Sequence, residues 1–108
     1  MLTIASNPLN DSLVVTLEGR IDANSAKELE TQCLAWIDQG QKHLILDFGH
    51  VTFISSAGLR ALLLVAKKVE PIQGSVKLVA LNHTLKDVFD ISGFSNLFQI
   101  HATAQDAL

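Results

Sequence analysis

One cysteine, two prolines and no tyrosine occur in a chain of 108 residues. A lone thiol, Cys33, excludes an intrachain disulfide and suits a reducing compartment. Basic residues are also scarce. Eight Lys plus Arg against eleven Asp plus Glu leave a net charge of −3, with no basic cluster to neutralise phosphates, which argues against a nucleic-acid partner. Long apolar runs are missing too. The longest, Ala61 to Ala66 (ALLLVA), falls far short of the ~20 residues that cross a bilayer. The opening MLTIASNPLNDSL has no basic segment followed by an apolar stretch, so neither a secretion signal nor membrane insertion is expected, and the expected location is cytoplasmic.

The sequence lacks several catalytic patterns as well. Neither glycine-rich phosphate loop occurs, and backbone N–H groups need those glycines to approach a phosphate closely. Asp47-Phe48-Gly49 spells the metal-binding triplet of protein kinases without the rest of the kinase signature, so it is read as coincidence. His43, His50, His83 and His101 show no i, i+4 pairing and no ligand-spaced cysteine or carboxylate, so no metal or other cofactor is expected. Cys33 and Trp36 fall on one apolar helical stripe and read as packing residues.

What is present is a dense supply of core. Hydrophobic residues make up 48% of the chain, enough for one compact domain spanning residues 1–108 without a metal or disulfide staple. Leu13 to Gly19 is β-branched and weakly alternating, which predicts a strand, and Met1 to Ala5 predicts its hairpin partner across the turn formers of Ser6 to Ser12. Ala26, Leu29, Cys33, Trp36 and Ile37 recur at helical spacing up to Gly40. His43 to Phe48 is a short apolar run that predicts a strand buried on both faces. A helix follows from Ala57 to Val69, stopped by Pro71 and Gly74. Leu59, Leu62, Leu63 and Ala66 can face the core, yet Leu64 and Val65 extend the apolar surface around the cylinder, so part of this helix is either well covered or an interaction face. Val76 to Leu81 predicts another strand, Asn82 caps a short helix around Leu85, Val88 and Phe89, and Ser92-Gly93 ends it. Leu97 to Ile100 predicts a last strand and Ala102 to Leu108 a last short helix. Strands alternating with helices point to an α/β layer structure with some parallel pairing.

The stretch FISSAGLR, Phe53 to Arg60, stands where the buried strand passes into the apolar helix. Serine is a favoured N-cap, worth about 1 kcal/mol, so one reading of Ser55 and Ser56 is purely structural. A second reading is a modification site. Ala57-Gly58 keeps the first turn small, so a partner can approach a hydroxyl there, and a phosphate is tolerated beside the free N–H groups and positive dipole of a helix start. A third, a hydrolase elbow, wants glycine two residues before the serine; Ile54 stands there instead of glycine.

The run LILDFGHVTFISSAGLRALL, with Gly19-Arg20-Ile21-Asp22 upstream and LVALNHTLKDVFDISGF downstream, resembles the STAS domain of bacterial anti-sigma factor antagonists, from about Leu13 to His101. The resemblance implies a mixed four- to five-stranded sheet with about four helices packed mainly on one side. It also implies a non-enzymatic switch that sequesters an anti-sigma factor or serine kinase while unphosphorylated. That kinase would have a histidine-kinase-like ATPase fold, and a metal-dependent serine phosphatase would reset the switch. Aligned on Gly58-Leu59, the family's phosphorylated serine is Ser56, with Ser55 at the usual aspartate position as runner-up acceptor and Ala57 at the second hydroxyl position. Asp22 matches the acid of the family's motif before the first helix, with helix capping as its alternative use. Arg20, Asp22, Ser55, Ser56, Gly58 and Leu59 form the partner-binding set so implied. Stand-alone domains similar to this one also brace the ATPase of phospholipid ABC transporters, a different role in which the serine is only a contact.

Overall fold

The structure, a computed structural model, describes all 108 residues. Five strands form one sheet in the order β1-β2-β3-β4-β5: β1 Leu2–Leu9, β2 Ser12–Ile21, β3 His43–Ile54, β4 Ser75–Val79 and β5 Gln99–His101. Between them run α1 Ala23–Asp38, α2 Ser56–Val69 and α3 His83–Ser92, with short 3₁₀ turns at Glu70–Ile72 and Phe94–Asn96. The hairpin β1-β2 is antiparallel and tighter than the turn-rich sequence suggested. Pairing continues to Leu9 and Ser12, leaving only Asn10-Asp11 as the turn, with Asn10 in the left-handed region that asparagine tolerates.

From β2 onward every pair is parallel and each new strand is laid down on the same side of the last. Right-handed crossovers in a sheet that grows in one direction put every crossover helix on the same face. That face carries the main core, where Leu29 and Cys33 of α1, Leu62 and Val65 of α2, and Leu85 and Phe89 of α3 meet Val15, Leu17, Leu46 and Leu78 of the strands. Phe48, Phe89, Phe98 and Phe94 form a chain of aromatic contacts beneath α3, with centroids 6.2–6.5 Å apart.

Three expectations need correction. There are three α-helices rather than about four, because residues 102–108 form turns instead of a helix. Those turns lie on the opposite face of the sheet, where Ala107 packs on Ile45 and Val79 and the Lys77 ammonium donates to the Ala107 carbonyl at 2.6 Å, contacts that hold the segment against the strands. Within α2 the buried residues include Val65, while Leu63 and Ala66 are only half-buried and Leu64 is exposed.

The third correction concerns β3, which runs twelve residues and does not stop at Phe48. Two bulges explain the difference. Thr16 pairs with Asp47 but Glu18 with His50, and Gly19 pairs with Val51 but Arg20 with Phe53, so β3 twice inserts a residue that β2 lacks. Burial beyond the first bulge therefore falls on Phe48, Val51 and Ile54, every third residue, and the alternation that marks a strand is lost.

Candidate modification and partner-binding site

Parallel strands deliver their helices from one edge. Ile21 and Ile54, the last residues of β2 and β3, are register partners, so α1 and α2 both begin at the carboxyl end of the sheet. The junction is tied by the Ser55 N–H, which donates to the Ile21 carbonyl at 2.8 Å.

Asp22 caps α1. Its Oδ1 accepts the N–H groups of Asn24 and Ser25 at 3.1 and 3.0 Å, and the Ser25 hydroxyl accepts the Asp22 N–H at 2.9 Å, a reciprocal capping box. The single proton of that hydroxyl lies between two acceptors, the Arg20 carbonyl at 2.7 Å and Asp22 Oδ1 at 3.0 Å, which ties the chain on both sides of Asp22. Hydrogen bonds from the Ser25 backbone and then the Ser25 side chain hold the Asp22 carboxyl below its ordinary pKa. Ser25, buried and absent from the sequence-derived set, had a legible signal: a hydroxyl three residues after an N-cap acid.

Ser55 and Ser56 have different environments. Ser55, half-buried, is the N-cap of α2, and its Oγ accepts the Gly58 N–H at 3.2 Å. An aspartate at this position would do the same work, since both are among the best N-caps. Ser56 is the first helical residue, is exposed, and its hydroxyl makes no hydrogen bond within the chain. The N–H groups of Ser56 and Ala57 have no intrahelical acceptor, as in any first turn.

Gly58 and Leu59 are placed otherwise than a contact set requires. Both are buried, so in this structure they shape the turn and present no side chain to a partner. A Cβ on Gly58 would stand 2.7 Å from Ile54 Cγ1 and 2.8 Å from Ile21 Cγ2, so the glycine lets α2 settle onto the two strand ends. Arg20 is exposed on the rim and lies over the Phe53 ring, 4.3 Å from its centroid. Phe53, 37% exposed, is a surface aromatic that no periodicity identified; only the bulged register sets it opposite Arg20.

Neither the Ser55 nor the Ser56 hydroxyl is hydrogen-bonded to a histidine or carboxylate side chain. The side-chain contacts of the histidines are elsewhere: His43 with Ser75 at 3.0 Å, His101 with Gln99 at 3.4 Å, and His83 with Asp87 at 3.6 Å. Cys33 is buried under α1, and burial pushes its thiol up to about 12. No cluster of three His, Cys, Asp or Glu side chains is placed to hold a metal ion.

The geometry is that of a small mixed-sheet module with two capped helix starts at the carboxyl edge of its strands. The STAS-domain family model matches residues 3–107, and the chain belongs to the STAS family. Within that family it sits with the bacterial anti-sigma factor antagonists. It is 35% identical over 99 residues to BtrV of Bordetella bronchiseptica, named as an anti-sigma factor antagonist, across 92% of this chain and 85% of that one. It is 30% identical over 95 residues to the anti-sigma-B factor antagonist of Bacillus subtilis, across 88% and 86%. In fold it is similar to the anti-sigma factor antagonist SpoIIAA in its unphosphorylated form, with a TM-score of 0.84 at 21% identity over 97% of this chain and 92% of that one. Against the phosphorylated form of Bacillus SpoIIAA the TM-score is 0.76 at 22% identity, over 97% and 96%. No helix is long and apolar enough to cross a membrane.

Proposed function

We propose that this chain, as a single cytoplasmic STAS domain, is an anti-sigma factor antagonist worked by phosphorylation of Ser56. Unmodified, it binds an anti-sigma factor or serine kinase of histidine-kinase-like ATPase fold through the edge formed by Arg20, Asp22, Ser55, Ser56 and Phe53. The kinase transfers the γ-phosphoryl group of ATP to Ser56 Oγ, the hydroxyl proton passing to a kinase base and ADP leaving. A metal-dependent phosphatase reverses the modification by directing water onto the phosphoryl group, releasing inorganic phosphate. The antagonist contributes a surface and no catalysis of its own.

One observation carries the reading: the two serines have separate jobs available. Ser55 holds the helix while the Ser56 hydroxyl is exposed and unengaged. A phosphate on Ser56 leaves every hydrogen bond of the turn in place and puts about two negative charges on the surface. Binding changes and folding does not. A relative in fold, SpoIIAA, exists in unphosphorylated and phosphorylated forms, which supports the same use here.

The test is co-purification of the kinase with tagged Ser56→Ala and Ser56→Asp chains from the source cells, with phosphosite mapping of the wild type. Ser56→Ala should retain the kinase and Ser56→Asp should lose it by roughly tenfold or more, with the wild-type phosphate on Ser56. Equal retention by the two variants, or a phosphate confined to Ser55, overturns the proposal.

A further inference from the structure

We infer that Arg60 is the built-in counter-charge for a phosphate on Ser56, so that the modified turn carries a fixed, intrahelical phosphate–guanidinium pair. The inference rests on the Ser56 reading above and names the group that stabilises its modified state. Ser56 and Arg60 are four residues apart on α2, the spacing that brings side chains within about 5–6 Å at their Cβ atoms. Both are exposed.

Arg60 is uncommitted in the unmodified protein. The chain's one contact within ion-pair distance between a basic and an acidic side chain is His83–Asp87, so Arg60 pairs with no acid. It lines the groove between the first turns of α1 and α2, whose walls are Ala23, Ala26, Ala57 and Ala61, small side chains that leave a guanidinium room to swing. The charged groups facing it across that groove are Lys27 and Glu30 of α1. Glu30 is the competing acid, yet it makes no ion pair with Arg60.

The charge pattern of α2 has a matching gap. Lys67 and Lys68 complement the helix dipole in the last turn, but the first turn has no acid. A phosphate on Ser56 supplies it, one helical turn before a guanidinium able to take two of its oxygens. Ser55 has no such arrangement, since it is five residues from Arg60 and its Oγ is engaged as the cap. Arg20, the other guanidinium of this edge, already lies over Phe53. The pair keeps the phosphate dianionic and oriented, which sharpens the difference between the two faces shown to a partner.

The experiment installs phosphoserine at position 56 during synthesis, so no kinase is needed, and follows the second ionisation of that phosphate by ³¹P NMR. In the otherwise wild-type chain the phosphate should titrate below its ordinary value near pH ~6. Arg60→Gln should raise that pKa by about 0.3 unit, Arg60→Lys should recover part of the shift, and added salt should shrink the difference. Arg20→Gln is the control and should leave it in place. No change in Arg60→Gln, or an equal change in Arg20→Gln, overturns the inference, because the phosphate would then sense only net charge. The Ser56→Asp binding comparison involves no contact to Arg60 that is read out, and this titration involves no partner, so the two ideas fail separately.

Discussion

Ile21 and Ile54 are partners on the last rung between β2 and β3, and the Ile21 carbonyl also accepts the Ser55 N–H. One rung therefore positions two helix starts. Asp22 follows Ile21 and caps α1, and Ser55 follows Ile54 and caps α2. Because each cap is supplied by its own residue, Ser56 is left over, exposed at the edge where both helices begin.

That division of labour separates the two serines by stability. Ser55→Ala removes the acceptor for the Gly58 N–H and should cost about 1 kcal/mol, a fall in Tm of about 4–8 °C for a domain of this size. Ser56→Ala removes a hydroxyl with no partner in the chain and should stay within about 0.5 kcal/mol of wild type. Thermal denaturation of the two variants side by side checks this; a larger loss for Ser56→Ala contradicts the assignment of the cap.

Gly58 gives a prediction in which two effects oppose. Gly to Ala in a helix ordinarily gains about 1 kcal/mol. Here the added methyl would meet Ile54 and Ile21 at less than 3 Å, and both side chains are themselves packed in the core. Overpacking of this kind costs about 1–3 kcal/mol. The clash should win, so Gly58→Ala should lower the urea midpoint, and a raised midpoint would show that α2 can lift off the strand ends freely.

Acid should weaken the start of α1. The folded-state pKa of Asp22 lies below its ordinary value of 3.8, so the stability it contributes is present above that value and is lost as pH falls through the folded-state pKa. Asp22→Asn keeps a capping side chain but removes this titration. The variant should show a shallower fall of Tm with pH below 3.8, and a direct NMR titration should find the wild-type carboxyl still ionised at that pH.

Cys33 should be silent toward thiol reagents in the native protein. It is fully buried and its pKa is raised to about 12, so thiolate is scarce at neutral pH and access is blocked. Iodoacetamide at pH ~8 should label it only after denaturant is added, at a rate set by opening of the fold. Rapid labelling of native protein would place α1 off the sheet for part of the time.

The order of elements was legible because its signals are local. The stripe Leu29, Cys33 and Ile37, the Asn82 cap and the Gly93 stop are each read within a few residues, and all three stand in the structure. The pattern around Gly58-Leu59 was likewise enough to mark the turn that begins α2. Where local signals were weak or mixed, the reading failed. Residues 102–108 are folded into turns by contacts to Lys77, Ile45 and Val79, all remote in sequence. The second half of β3 was invisible because two bulges move burial to every third residue, and a bulge is a property of a pair of strands, not of one.

The chain by itself determined which residues are apolar, where α1, α2 and α3 lie, and that a serine-bearing turn joins a buried strand to α2. Only the tertiary structure decided that Ser56 is left exposed while Gly58 and Leu59 face inward, and that Arg20 meets Phe53. The reason is physical. Capping and periodicity depend on neighbours along the chain, whereas exposure at a sheet edge depends on the register of β2 against β3, and that register is set by packing across some thirty residues of intervening chain.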